Sequence, residues 1–198
     1  FFKKILAISK IKNPSILPVH CFTFSNFESK LYPTIFTKCI KGNPLKIKLN
    51  ERKLTSTQRY SILVGITYGM KYLHSIGIFH SNLTPSNIIL DKQLYPYIND
   101  YINSSKITKF TKYTAPEILN DIYSSSNDVY SYSIIAYELL TGELPFNQYK
   151  PNQIENFVIK KGERPNLEII RNERIKTLFQ RCWSKDHKSR PKFDTILN

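Results

Sequence analysis

Glycine is scarce in this chain of 198 residues: there are six, and none stands in the G-x-G-x-x-G order that cradles a phosphate between a strand and a helix. Cysteine is scarcer. Cys21, Cys39 and Cys182 are odd in number and lack any C-x-x-C spacing, which argues against a disulfide framework and a zinc site and points to a reducing cytosol. His20 beside Cys21 has no second pair of ligands at zinc-like spacing, so it reads as a strand dipeptide. No stretch approaches the roughly 18 apolar residues of a membrane span, and Phe1-Phe2-Lys3-Lys4 is too short an apolar run for a secretory signal. There is no initiator methionine, no internal repeat and no low-complexity tract, and the expected true start of the chain lies upstream. Acidic residues are few, 15 against 29 Lys and Arg, for a net charge of +14. Those basic residues are scattered among many Ile, Asn and Tyr rather than gathered into a stripe, and no nucleic-acid module accompanies them, so nucleic acid is not the expected partner.

What the chain has is apolar content, 41%, enough for one sizeable core. Ile5, Ile8 and Ile11 give residues 1–12 a helical pattern, closed by Asn13-Pro14. Two strand-like runs follow, Ile16 to Phe24 and Leu31 to Ile40. A long helix is predicted from Thr55 to Ser75: Thr55 and Gln58 fit a capping box, Ile62, Leu63, Ile66, Met70 and Leu73 form one face, and Gly77 stops it. Short apolar runs broken by Asn, Ser and Pro then read as loops and a small hairpin, at Ile76 to Phe79, Ile88 to Leu90 and Tyr95 to Ile98. Val129, Tyr132, Ile135, Ala136 and Leu139 predict a largely buried helix from Asn127 to Leu140, ended by Gly142 and Pro145. Further helices fit Pro151 to Lys161 and Asn172 to Cys182, the latter with Ile175, Leu178, Phe179 and Cys182 on one face.

The run from Tyr72 to Leu90 contains His80-Ser81-Asn82-Leu83-Thr84-Pro85-Ser86-Asn87; Asp100-Tyr101-Ile102 follows, then Ala115-Pro116-Glu117. In order and spacing these resemble the H-R-D-L-x-x-x-N, D-F-G and A-P-E motifs of eukaryotic protein kinases. Asp128 to Tyr132 and Leu140 to Phe146 resemble the start and exit of that family's buried central helix. Gly162-Glu163-Arg164-Pro165, Cys182-Trp183 and Arg190-Pro191-x-Phe193 resemble the closing motifs of its tyrosine kinase-like group, and Pro85 is the residue of serine/threonine-type members. The resemblance implies an α+β, mainly helical, protein kinase-like fold: residues 1–40 a remnant of the amino-terminal lobe, residues 41–198 the large carboxyl-terminal lobe.

The matched positions differ in chemistry. Asn82 stands where the family has its catalytic Asp; a carboxamide can orient a hydroxyl but cannot take its proton, a loss of about 10² to 10⁴-fold or 3–5 kcal/mol. Thr84 replaces the Lys that neutralises the transferring phosphate. Asn87 and Asp100 match the metal positions, and an amide oxygen with a carboxylate suits magnesium held by phosphates. The glycine-rich loop is missing, and aligning Phe2 to Ile11 with the family's helix puts Lys4 where a pairing Glu belongs. Ser81 replaces the Arg that reads activation-loop phosphate, Ile102 replaces the D-F-G glycine, and Thr108 and Thr111 read as plain loop residues. The structural positions are kept: Glu117 and Arg190 match a buried ion pair, and Asp128 matches the residue that caps the loop containing His80.

The expectation is therefore a pseudokinase in the cytoplasm that binds protein partners, with ATP and magnesium binding weak or absent. Two other readings stand beside it: a fragment of an active ATP-dependent serine/threonine kinase, and a basic module for anions or nucleic acid.

Overall fold

The computed structural model describes residue 8 and residues 11–25, 34–101 and 110–197. Most of the predicted opening helix with Lys4, the start of the second strand run at Leu31, and Ile102 and Thr108 lie outside the described residues.

Helix α2, Ser56–Ser75, preceded by the short α1, Leu45–Glu51, begins as its sequence dictates. The Thr55 hydroxyl accepts from the Gln58 amide at 3.2 Å while the Gln58 side chain accepts from the Thr55 amide at 2.9 Å, satisfying two orphan donors at once. Ile62, Leu63, Ile66, Met70 and Leu73 are all buried, and the left-handed Gly77, at φ 72°, turns the chain away after the last turn. The helix packs on a hairpin of β4, Ile88–Asp91, and β5, Pro96–Ile98, paired antiparallel with Ile88 opposite Ile98. A Cβ added at Gly69 would meet Ile98 Cδ1 at 2.7 Å, so the helix glycine sets how closely the two can approach.

The hairpin gains a third strand, β3, Gly42–Pro44, which runs straight into α1. Neither β3 nor α1 was predicted. Leu45, Ile47 and Leu49 alternate rather than follow a helical period, and a three-residue strand exists only through its partner. The constraint is visible at Gly42, where a Cβ would lie 1.9 Å from the Leu90 carbonyl oxygen. Strands β1, Val19–Thr23, and β2, Thr34–Thr37, make a separate antiparallel pair inside the predicted runs. Their lead-in is tied to the hairpin: the Leu17 amide donates to the Ile98 carbonyl at 2.9 Å and the Ile98 amide to the Ser15 carbonyl at 2.8 Å.

Helix α3, Ser125–Thr141, is the centre of the core, with every residue from Asn127 to Leu139 buried. Helix α4, Glu173–Cys182, packs on it, while α5, Phe193–Leu197, packs on α2 and brings Phe193 edge-on to Tyr132 of α3. Asn172 caps α4 by accepting from the Arg174 and Ile175 amides; Phe179 and Cys182 are buried, while Ile175 and Leu178 are half-buried against the core. The helix expected from Pro151 to Lys161 is instead a 3₁₀ turn, Pro151–Gln153, and a π-helix, Glu155–Lys160. Its buried residues Ile154, Val158 and Ile159 are spaced four and five apart, which the wider π turn brings to one face.

The start of the 3₁₀ helix Pro116–Asn120 is locked to the carboxyl-terminal part of the chain. Arg190 grips Glu117 with two parallel bonds, Nη1 to Oε1 at 2.7 Å and Nη2 to Oε2 at 2.8 Å, and its remaining donors reach the Ser126 and Ser184 carbonyls. Both side chains are buried, so neither charge has water to fall back on. The ring of Tyr130 lies between Arg164 and Arg190, 5.1 and 5.3 Å from their guanidinium carbons, while its hydroxyl is buried without a hydrogen-bond partner among the described residues.

Removing one partner of this pair strands the other. Arg190→Ala should lower the free energy of unfolding by roughly 3–5 kcal/mol in a urea titration, and an unchanged midpoint would contradict the geometry. Tyr130→Phe deletes a hydroxyl that has no partner and keeps the ring between its two arginines, so stability should hold or rise by up to about 1 kcal/mol; a clear loss would mean the hydroxyl is satisfied after all.

Candidate functional site

Three elements converge on the loop between α2 and β4. Ile78 and Leu83 anchor it in the core, and Pro85 starts a 3₁₀ turn, Pro85–Asn87, that delivers the chain into β4. The fixed point is Asp128, in the first turn of α3 and fully buried. Its Oδ1 accepts from the Ser81 amide at 2.7 Å; its Oδ2 accepts from the His80 amide at 2.9 Å and lies 2.8 Å from His74 Nε2 at the end of α2. These bonds hold Ser81 in the left-handed region, at φ 63°, a strained conformation for a residue with a Cβ.

The ring of His80 fixes the next part of the loop. Burial pushes its pKa below the ordinary imidazole value, which keeps it neutral. Its Nδ1 accepts from the Asn82 amide at 3.3 Å, and Nε2–H donates to the Asn99 carbonyl at 2.9 Å. His80 is thus a bracket between the loop and the residue before Asp100, buried rather than facing a reactant.

Asn82 is exposed at the tip of the loop and held by its backbone, its carbonyl accepting from Asn87 Nδ2 at 2.9 Å. That bond commits the amide nitrogen of Asn87 inward and leaves Oδ1 as the atom that can meet a cation. The Asn99 amide donates to the Asn87 carbonyl at 2.8 Å, which puts Asp100 beside Asn87. Asp100 is itself left-handed, at φ 60°. Among the described residues no group of three or more His, Cys, Asp and Glu side chains could hold a metal. One amide oxygen and one carboxylate form the donor set that fits magnesium shared with phosphate oxygens, and Asn87 and Asp100 are the residues that would hold it. Thr84 is half-buried and lines a separate cavity of about 520 Å³.

Sequence reasoning assigned no role to Tyr101 or His74. Tyr101 is buried and its hydroxyl donates to the Leu17 carbonyl at 2.9 Å, 84 positions away, pinning the segment after Asp100 to the amino-terminal part of the chain. An aromatic at the middle of the D-F-G match was the available signal. For His74 there was none beyond its place in the matched run, because its partner is 54 positions distant.

The family model described as protein tyrosine and serine/threonine kinase matches residues 1–198. The chain belongs to that kinase family. A probable serine/threonine-protein kinase of Dictyostelium discoideum is 39% identical over 156 residues, covering 74% of this chain and 12% of its own length. The serine/threonine/tyrosine-protein kinase HT1 of Arabidopsis thaliana is 29% identical across 100% of the chain and 53% of its own length. Another Arabidopsis relative, serine/threonine-protein kinase STY17, is 32% identical over 69% of the chain and 26% of its own length. The kinase-like chain thus spans between about an eighth and a half of these relatives. The mainly helical α+β architecture is that of a protein kinase-like fold with a partial amino-terminal lobe. No helix among the described residues is long and apolar enough to cross a membrane.

Because Asp128 carries the loop, Asp128→Ala should release it. Hydrogen exchange at the His80 and Ser81 amides should accelerate by at least about 100-fold, the loss of two charge-assisted bonds at 1.5–3 kcal/mol each. Undiminished protection at both amides would show that the loop is held by something else.

Proposed function

We propose that this kinase-family domain is a pseudokinase that works as a protein-binding or regulatory module. The observation that carries the reading is Asn82: exposed at the loop tip, in register with the family's catalytic Asp, and unable to accept a proton. Thr84 supports it, because a hydroxyl replaces the cation that would neutralise a transferring phosphate. The scaffold has kept what holds shape, Asp128 under the loop and Glu117 with Arg190, while the groups that do chemistry have changed. ATP and magnesium, which the family uses, bind weakly or not at all here; residues 1–40 form the remnant of the small lobe and residues 41–198 the large one; and the setting is cytoplasmic.

The neighbouring Asn87 and Asp100 favour a second reading, in which the chain is part of an active serine/threonine kinase whose missing groups are supplied elsewhere in a longer protein. Phosphate transfer from labelled ATP with magnesium decides between them. The chain, Asn82→Asp, and Asn82→Asp with Thr84→Lys should all fail to transfer, since parts that act as a unit are not restored singly. Robust transfer by the unaltered chain, abolished in Asp100→Ala, would put the active kinase first.

A further inference from the structure

The loop lacks its cation at Thr84, yet two lysines from other elements face the same cavity. Lys46 reaches it from the exposed side of α1, and Lys112 from the segment before Ala115. Lys112 has a side chain only 17% exposed, and its nearest carboxylate oxygen, Oε2 of Glu138, is 3.6 Å away, beyond good hydrogen-bond range. That oxygen already accepts from the Tyr113 hydroxyl at 2.7 Å. The cavity lining therefore carries two cations and one carboxylate, and that carboxylate is already engaged. Burial pulls the Lys112 pKa below its ordinary value, although Glu138 opposes the shift; Lys46 adds to it as a smaller contributor. The hydroxyls of Thr84 and Ser86 line the same cavity, and Phe110, Phe146 and Tyr149 give it an aromatic wall.

We propose that this cleft binds a phosphorylated side chain, phosphoserine or phosphothreonine, on a protein segment, with Lys46 and Lys112 clasping the phosphoryl group. The inference rests on the reading of the domain as a protein-binding module and names the class of its partner. A phosphomonoester carries about −1.5 to −2 charge and three acceptor oxygens, more acceptors and more charge than a carboxylate can offer to two ammonium groups and the neighbouring hydroxyls. The aromatic wall takes the apolar flank of the segment that bears it.

The test is fluorescence anisotropy of the 198-residue chain with three labelled peptides at physiological salt, identical except for a central phosphoserine, serine or glutamate. The phosphoserine peptide should bind at least about tenfold more tightly than either other, and Lys46→Met and Lys112→Met should each weaken it by about tenfold, the loss of one charge-assisted contact. Lys188→Met, a control at an exposed lysine outside the cavity, should leave it unchanged. Equal binding of the three peptides, unaltered affinity in Lys46→Met, or equal weakening by Lys188→Met would overturn the proposal, the last by showing general attraction to a chain of charge +14. Lys46 is exposed on α1, so its variant keeps the test decisive even if Lys112→Met does not fold. Phosphate transfer reads separately: a failed titration without transfer sinks this site alone, whereas transfer from ATP sinks the non-catalytic reading.

Discussion

The carboxylate of Asp128 has both oxygens engaged in the interior, and the geometry of the loop from Ile78 to Asn87 depends on it. It stands in the first turn of α3, the most deeply buried helix, so its position is set by the core. Through the His80 and Ser81 amides it dictates where the loop turns, and through the His80 ring the turn is passed to Asn99 and so to Asp100. A buried anion is tolerable only while its donors stay in place, which makes the arrangement all-or-none.

The second constraint works at a greater distance. Glu117 and Arg190 join the end of the segment before α3 to the turn before α5, with Tyr130 of α3 stacked beneath the guanidinium. Together the two anions tie the site, the segment beyond it and the last helices to one central helix. Replacing Asp by Asn at position 82 touches neither tie, because that side chain is exposed and only its backbone is used. Chemistry at the loop tip can therefore change while the fold stays.

The charges around Thr84 obey the same logic in reverse. The cavity that Thr84 lines holds two cations, from α1 and the 110–113 segment, and a single carboxylate. A pocket with that balance favours a ligand bearing negative charge over a neutral one.

Much of this was legible in the chain before it was folded. The capping box at Thr55, the apolar faces of α2 and α4, the glycines after α2 and α3 and the order of the kinase-like motifs are local signals, written within a few residues of where they act. The short β3 and α1, the π-helix at Glu155–Lys160, the hydrogen bond of Tyr101 to Leu17 and the meeting of Lys46 with Lys112 were not. Each depends on a partner far along the chain or on the space left by the core, as Gly42 depends on the carbonyl of Leu90. The sequence alone determined the family, the main helices and which residues stand at the kinase-like motif positions, because periodicity and motif spacing are properties of the chain itself. Only the tertiary structure decided which side chains share a cavity and which are locked inside, because burial and the pairing of charges exist only once distant segments have been packed together.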